Sequence, residues 1–164
     1  MGLRIVRLDP ARHDRAGFDC GTPSLNRYLR EQAGQHQRDG IATTHVLIDD
    51  ADAVRVLGYC SLAAAQVNLA SLQPADRKRL PRYPVPAVRV ARLAVALSAQ
   101  GHGYGRLLLG HAANCSLQLR EQLGARLLVV DALDARAAAF YRAHGFRETA
   151  ESALTLYLPL GRTR

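Results

Sequence analysis

The stretch that most constrains this chain runs from Val88 to Arg106. Val88-Arg89-Val90-Ala91-Arg92-Leu93-Ala94-Val95 carries apolar residues in an alternating pattern that predicts a buried strand. A short turn follows, then glycine at every second position: Gly101, Gly103 and Gly105. Leu107-Leu108-Leu109-Gly110-His111-Ala112-Ala113 continues as a helix. Strand, glycine loop and helix N-terminus in that order make an anion site. The first-turn N–H groups have no intrahelical partner, the helix dipole adds partial positive charge, and glycine lets a phosphate approach the backbone. Spacing excludes two familiar loops. No Lys-Ser or Lys-Thr follows the glycines, as a P-loop requires, and a G-x-G-x-x-G would need glycine where Arg106 or Leu108 stands.

A chain of 164 residues, nearly half of them hydrophobic, is expected to form a single globular domain over residues 1–164. No apolar run reaches the roughly 18 residues of a membrane span, and the N-terminal stretch lacks a signal-peptide core, so a cytoplasmic protein without membrane partners is expected. Met1-Gly2 without Ser or Thr at position 6 is a poor myristoylation match. Cys20, Cys60 and Cys115 are few, odd in number and far apart, and the histidines show no ligand spacing, so no metal is expected. The net charge of +8 is unevenly spread. Between Asp76 and Glu121 there is no Asp or Glu, while Arg77, Lys78, Arg79, Arg82, Arg89, Arg92, Arg106 and Arg120 all fall there. Such a stretch favours anionic partners, nucleic acid among them.

Leu3 to Leu8 reads as a first strand, and Phe18-Asp19-Cys20-Gly21 as a turn. Thr22-Pro23 reads as an N-cap with proline at the first helical position, opening a helix to about Gln37 that stops by Gly40. Ala42–Ile48 and Val54–Val67 form a hairpin around an acidic turn. A proline-rich stretch to Pro86 holds one or two helical turns from Pro74 to Leu80, and leads into the strand and loop above. The helix after the loop is expected to reach about Leu123, ending at Gly124. Arg126–Asp131 is an apolar strand buried on both faces, Asp134 caps a helix to His144, and Phe146–Thr149 and Leu154–Leu160 are the last strands. The order β-α-β-β-β-α-β-α-β-β predicts an α/β fold, a mixed central sheet with helices on both faces.

Gln100-x-x-Gly103-x-Gly105 resembles the Q/R-x-x-G-x-G/A motif of the GNAT superfamily of acetyl-CoA-dependent N-acetyltransferases, and Ala138-Ala139-Phe140-Tyr141-Arg142-Ala143-His144-Gly145-Phe146 resembles that family's second signature, A-x-x-F-Y-x-x-x-G-F. The resemblance covers essentially the whole chain. A narrower likeness joins Phe18-Asp19-Cys20-Gly21, Leu25-Asn26-Arg27-Tyr28-Leu29, Ala42-Thr43-Thr44, Pro84-Val85-Pro86 and Arg92-Leu93-Ala94-Val95. This pattern is similar to the TacT-type GNAT toxins of toxin–antitoxin pairs, which acetylate the amino group of aminoacyl-tRNA. Those toxins commonly carry an acid after R-L-A-V, where this chain has Ala96.

The resemblance implies acetyl-CoA as cofactor, its pyrophosphate on Gln100, Gly101, His102, Gly103, Tyr104, Gly105 and Arg106. It implies the pantetheine arm along the backbone of Leu93, Ala94 and Val95, with Phe140 beside it, and Tyr141 as the general acid. A phenol of pKa about 10 is protonated at neutral pH and can donate to a departing thiolate. No carboxylate stands between 77 and 120 to serve as base, which favours an α-amino or ester-activated amine over a lysine. His45, His102, His111 and His144 are the alternative bases, each read rather as a surface or capping residue, and Cys60 and Cys115 read as small buried hydrophobes. Arg77, Lys78, Arg79, Arg82, Arg89 and Arg92 are the candidate tRNA contacts. A ribbon-helix-helix antitoxin and a homodimer are the further partners that the resemblance suggests. The alternative acceptor is a small-molecule amine or a protein N-terminus.

Overall fold

The computed structural model describes residues 2–161; Met1 of the N-terminal reading above and residues 162–164 lie outside them. The strands are β1 (Leu3–Arg7), β2 (Thr43–Asp49), β3 (Gly58–Val67), β4 (Val85–Val95), β5 (Leu127–Asp131), β6 (Arg147–Glu148) and β7 (Thr155–Pro159). They lie in one sheet in the order β1-β2-β3-β4-β5-β7-β6. β4 and β5 pair parallel, whereas β1–β2, β2–β3, β5–β7 and β6–β7 pair antiparallel, so the sheet is mixed as expected. The helices are α1 (Pro23–Arg27), α2 (Ala33–Arg38), α3 (Pro74–Arg77), α4 (Tyr104–Leu119) and α5 (Ala135–Ala143). The chain divides into two compact units, Met1–Ala63 with Ala91–Ala112, and Ala64–Val90 with Ala113–Arg164. β3, β4 and α4 contribute residues to both.

In the first unit, Pro23 begins α1 where the sequence placed it, but the Thr22 side chain makes no capping bond. Its carbonyl instead accepts the N–H groups of Leu25 and Asn26. Between α1 and α2 the helix widens to π geometry over Tyr28–Gln32, which no sequence pattern announced. The wide turn seats Tyr28, 1 % exposed, parallel to Tyr59 at 6.4 Å, while the Tyr59 hydroxyl donates to the Leu25 carbonyl at 2.7 Å. Phe18 packs edge-on against Tyr59 at 5.5 Å. β3 starts at Gly58, not at Val54. Residues before it are committed elsewhere: the Val54 carbonyl accepts the Asp14 N–H at 2.8 Å, and Asp49 and Asp52 close the acidic turn. A Cβ on Gly58 would stand 2.9 Å from the Ala94 carbonyl oxygen, so only glycine lets these two strands approach this closely.

In the second unit, Val67, Leu72, Val85, Ala87, Leu127, Val129 and Tyr157 form a buried cluster. Leu127-Leu128-Val129-Val130 is at most 1 % exposed, the double-sided burial its unbroken apolar run predicted. β4 begins at Val85, earlier than expected. Pro86 is tolerated there because the ladder needs only its carbonyl, which accepts the Arg126 N–H at 2.9 Å. α4 stops at Leu119, four residues short of the expected end, and irregular bonds carry the backbone through Leu123. Asp76 joins α3 to the sheet: its two carboxylate oxygens accept from Arg147 and, at 2.6 Å, from the Tyr157 hydroxyl. The same hydroxyl accepts the Gln73 N–H at 2.8 Å. Burial alone would raise the Asp76 pKa, but the bonds from Arg147 and Tyr157 outweigh it and hold the carboxyl below its usual value. Burial, then the bond to Asp76, pushes Tyr157 up to about 12.

Asp76→Ala leaves the Tyr157 hydroxyl and Arg147 without their acceptor, and is expected to cost about 1–3 kcal/mol at neutral pH. Because the folded carboxyl is the more acidic, its stabilising effect is present above the ordinary carboxylate pKa and disappears as pH falls through the lower folded value. Urea denaturation at pH 7 should therefore separate variant from wild type by more than the same titration at pH 3.

Candidate active site

The glycine loop takes the form its spacing suggested. Gly101 and Gly103 adopt φ values of +85° and +78°, in the left-handed region that favours glycine. No heavy atom lies within 4 Å of where a Cβ on either would stand, so the space above the loop is open. The Leu107 N–H donates to the Gly103 carbonyl at 3.2 Å and is the first backbone bond of α4. The N–H groups of Tyr104, Gly105 and Arg106 precede it, and among the described residues none has a backbone acceptor. With the helix dipole behind them, they form a cluster of donors that suits a phosphate.

The turn between β4 and this helix is fastened from beneath. The Ala96 N–H donates to the Leu57 carbonyl at 2.9 Å, and the Leu97 N–H to the Asp19 carbonyl at 2.8 Å. The Gln100 amide nitrogen donates to the carbonyls of Val95 at 3.0 Å and Cys20 at 3.2 Å. Gln100, expected to line the cofactor, thus spends its side-chain amide holding the turn. His102 does likewise, with Nδ1 3.1 Å from the carbonyls of both Ala99 and Gln100.

Phe18-Asp19-Cys20-Gly21, a turn as the sequence suggested, forms the anchor. The Asp19 carboxylate accepts the Gly21 N–H at 2.9 Å and the Asn26 amide at 3.0 Å, and the Asn26 oxygen accepts the Cys20 N–H at 2.9 Å. The Gly21 bond first, then Asn26, holds the Asp19 carboxyl below its usual pKa. Gly21 has φ +87°, and a Cβ there would crowd the Leu97 side chain at 3.1 Å.

The second signature lies in the other unit. Asp134 caps α5 as expected, its carboxylate accepting the Ala137 N–H at 2.9 Å. Tyr141 is 5 % exposed on the last turn. Gly145, at φ +91°, reverses the chain so that the Phe146 ring packs 5.6 Å from Tyr141 and its N–H returns to the Tyr141 carbonyl. Phe140 meets Tyr141 edge-on at 5.3 Å, and the His144 Nδ1 lies 2.8 Å from the Phe140 carbonyl, a helix-end role as predicted. Leu93 to Arg106 therefore share one unit, and Phe140 and Tyr141 belong to the other. Along β4, Ala94 is buried while Leu93 and Val95 are half-buried.

The acid-free basic stretch is divided by its surroundings. Arg89 forms an ion pair with Asp131 on the neighbouring β5, so its charge is not free. The Arg92 guanidinium lies 3.7 Å over the Tyr28 ring. Arg77, Lys78, Arg79 and Arg82 are exposed, and none has a carboxylate partner among the described residues. Lys78 and Arg79 line a broad groove that Arg120 and Arg126 also line.

His45 and His111 depart from the surface-or-cap reading. Both are half-buried, and the His111 Nε2 lies 2.9 Å from the His45 Nδ1. Burial, then the nearby His111 and Arg7 charges, pushes His45 down to about 4; burial also lowers His111. Nothing in the sequence could signal a pair so far apart along the chain. Cys115 is half-buried, not a core residue.

The acetyltransferase (GNAT) domain family matches residues 40–148. A tRNA-acetylating toxin of Mycobacterium tuberculosis is 36 % identical over 128 residues, which is 78 % of this chain and 75 % of that protein. Among solved structures, a tyrosine-to-phenylalanine mutant of KacT superposes with a TM-score of 0.91 at 29 % identity, covering 98 % of this chain and 96 % of that one. AtaT complexed with acetyl-methionyl-tRNAfMet gives 0.89 at 31 % identity over 96 % and 95 % of the two chains. A mutant of AtaT has also been solved with acetyl-CoA and the C-terminus of the antitoxin AtaR. Among the described residues, no helix is long and apolar enough to cross a membrane.

The histidine pair predicts a pH dependence. Below about pH 6.5 unfolded histidine takes up a proton that folded His45 accepts only near pH 4, so stability is full above this window and falls as pH drops through it. The loss attributable to His45 should be about 1–3 kcal/mol. Denaturant titrations between pH 7 and 4.5 should give a shallower decline for His45→Gln than for wild type.

Proposed function

The chain belongs to the acetyltransferase (GNAT) family, and on that premise we propose that it is a toxin that acetylates the amino group of aminoacyl-tRNA with acetyl-CoA and so blocks translation. One observation carries this reading. A chain with an open, backbone-lined anion loop shares 31 % identity, over 96 % of its length, with a protein captured beside its acetylated tRNA. The charge distribution supports the same acceptor, since Arg77, Lys78, Arg79 and Arg82 face solvent without carboxylate partners.

Acetyl-CoA supplies the acetyl group already activated as a thioester. We assign its pyrophosphate to the N–H groups of Tyr104, Gly105 and Arg106, with Gly101 and Gly103 keeping side chains out of the approach. Gln100 and His102 act indirectly, by holding the loop in shape. The backbone of Leu93, Ala94 and Val95 is assigned to the pantetheine arm, and Phe140, edge-on to Tyr141 at 5.3 Å, is assigned a place beside it. Tyr141 is assigned the role of general acid, giving its phenolic proton to the departing sulfur. The acceptor needs little help from a base. An α-amino group has a pKa near 7.7–8.0, so a usable fraction is already neutral, which suits a site whose strand and loop carry no carboxylate. An antitoxin is the expected protein partner, and the cytoplasm, where charged tRNA resides, is the expected compartment.

Incubation with labelled acetyl-CoA and a charged-tRNA pool, beside a panel of small amines and peptides, tests this. Label is expected on the tRNA; label only on the small amines or peptides would contradict the reading. Tyr141→Phe should slow tRNA acetylation about 10²–10⁴-fold with acetyl-CoA affinity nearly unchanged. Gly103→Asp should abolish the rise in Tm that acetyl-CoA gives the wild type, by placing a carboxylate where the phosphate sits. A folded Gly103→Asp with undiminished affinity would remove the loop from the cofactor site.

A further inference from the structure

The proline-rich stretch before β4, which the acetyl-transfer chemistry does not use, presents one side chain in an unusual way. Tyr83 is 72 % exposed, more than any other large hydrophobic residue among those described. Its ring and hydroxyl have no partner there. It lines a shallow depression of about 370 Å³ together with Asn68, Leu69, Arg77, Arg82 and Pro84. That volume lies at the lower end for small-ligand sites. No carboxylate lines it. The adjacent acid, Asp76, is already bound to Arg147 and Tyr157. The Arg77 and Arg82 guanidiniums thus stand beside an exposed aromatic face with no carboxylate partner among the described residues.

The backbone holds this display in place. Pro81 and Pro84 fix their own φ angles and restrict Leu80 and Tyr83 to extended conformations. Leu80 packs against the second unit's core, and Val85, 4 % exposed, belongs to it, so both ends of the loop are anchored. Arg79, just before it, has φ +66° and is the one non-glycine residue among those described with a positive value. Strain of that kind persists only where the surrounding structure over-determines it. An aromatic ring on a pre-set loop, flanked by two unpaired guanidiniums, matches one ligand chemistry: a flat base attached to a phosphate. Stacking on the ring holds the base, and the arginines hold the backbone.

We propose that Tyr83, with Arg77 and Arg82, is a stacking seat for an unpaired nucleotide of the acceptor RNA. A paired base has its faces covered by its neighbours, so the seat selects single strand over duplex. The inference rests on the nucleic-acid reading of the acceptor and adds a specific contact to it.

Fluorescence anisotropy with a labelled single-stranded RNA of about eight nucleotides, and with its duplex, tests the seat apart from catalysis. Wild type should prefer the single strand. Tyr83→Ala should weaken single-strand binding by roughly 5- to 100-fold, and Tyr83→Phe, which keeps the ring, should restore most of it. Arg77→Ala and Arg82→Ala should each flatten the slope of log K against log[salt] by about 0.7. Equal binding of duplex and single strand, a Tyr83→Ala protein that binds like wild type, or a Tyr83→Phe protein as weak as Tyr83→Ala would each overturn the proposal. The two readings fail separately. Wild type that acetylates charged tRNA alongside a Tyr83→Ala variant with unchanged KM for tRNA and unchanged oligonucleotide affinity defeats the seat alone. Ring-dependent oligonucleotide binding by a protein that labels no tRNA upholds the seat and defeats the acceptor.

Discussion

The structure depends on holding in one place three backbone N–H groups that have no backbone acceptor among the described residues. Tyr104, Gly105 and Arg106 open α4 before its first backbone bond, and an exposed glycine loop left to itself would sample many shapes. Here the turn leading into it is tied down. Leu97 bonds to Asp19, Gln100 bonds to Val95 and Cys20, and Asp19 and Asn26 lock the Asp-Cys-Gly turn below. The conformational entropy of the loop is removed at folding, so an incoming phosphate need not supply it. The two glycines at positive φ and the anchoring turn are parts of one device, although some 80 residues separate Cys20 from Gln100 in the chain.

Charge is distributed by the same logic. The stretch from Arg77 to Arg120 contains no acid, yet the sheet brings one acid to Arg89, namely Asp131 from β5. Asp76, at the edge of the stretch, is turned inward to Arg147 and Tyr157. Arg92 is placed on an aromatic face. Arg77, Lys78, Arg79 and Arg82, on one proline-bounded loop and its preceding helix, face water with no carboxylate partner among the described residues.

Much of this was legible in the sequence because local rules govern it. Gly101, Gly103 and Gly145 were required by backbone shape, Asp134 by the unpaired donors of α5, and the unbroken run Leu127–Val130 by burial on both faces. What was not legible depends on long-range packing. The π turn at Tyr28 exists because Tyr59 stacks on it from another element, and the His45–His111 pair joins β2 to α4. Motif position carries no information about where an amide points, so the bonds from the Gln100 side chain to Val95 and Cys20 were not legible. The early start assigned to β3 failed at Val54 because its carbonyl was recruited by Asp14. Acid-free spacing could not reveal that Arg89 would find Asp131.

The central claim is that the glycine loop before α4 is held in shape by bonds from Gln100, Asp19 and Asn26 to the turn beneath it, and Asn26 tests it most directly. Asn26 lies on α1, outside the loop, and its side-chain amide bonds to the Asp19 carboxylate and the Cys20 N–H. Isothermal titration of acetyl-CoA into Asn26→Ala, with its fold verified by circular dichroism, reports the effect of the anchor alone. The account predicts a Kd weakened about five- to tenfold, the equivalent of roughly one hydrogen bond. A folded Asn26→Ala protein that binds acetyl-CoA as tightly as wild type would contradict it.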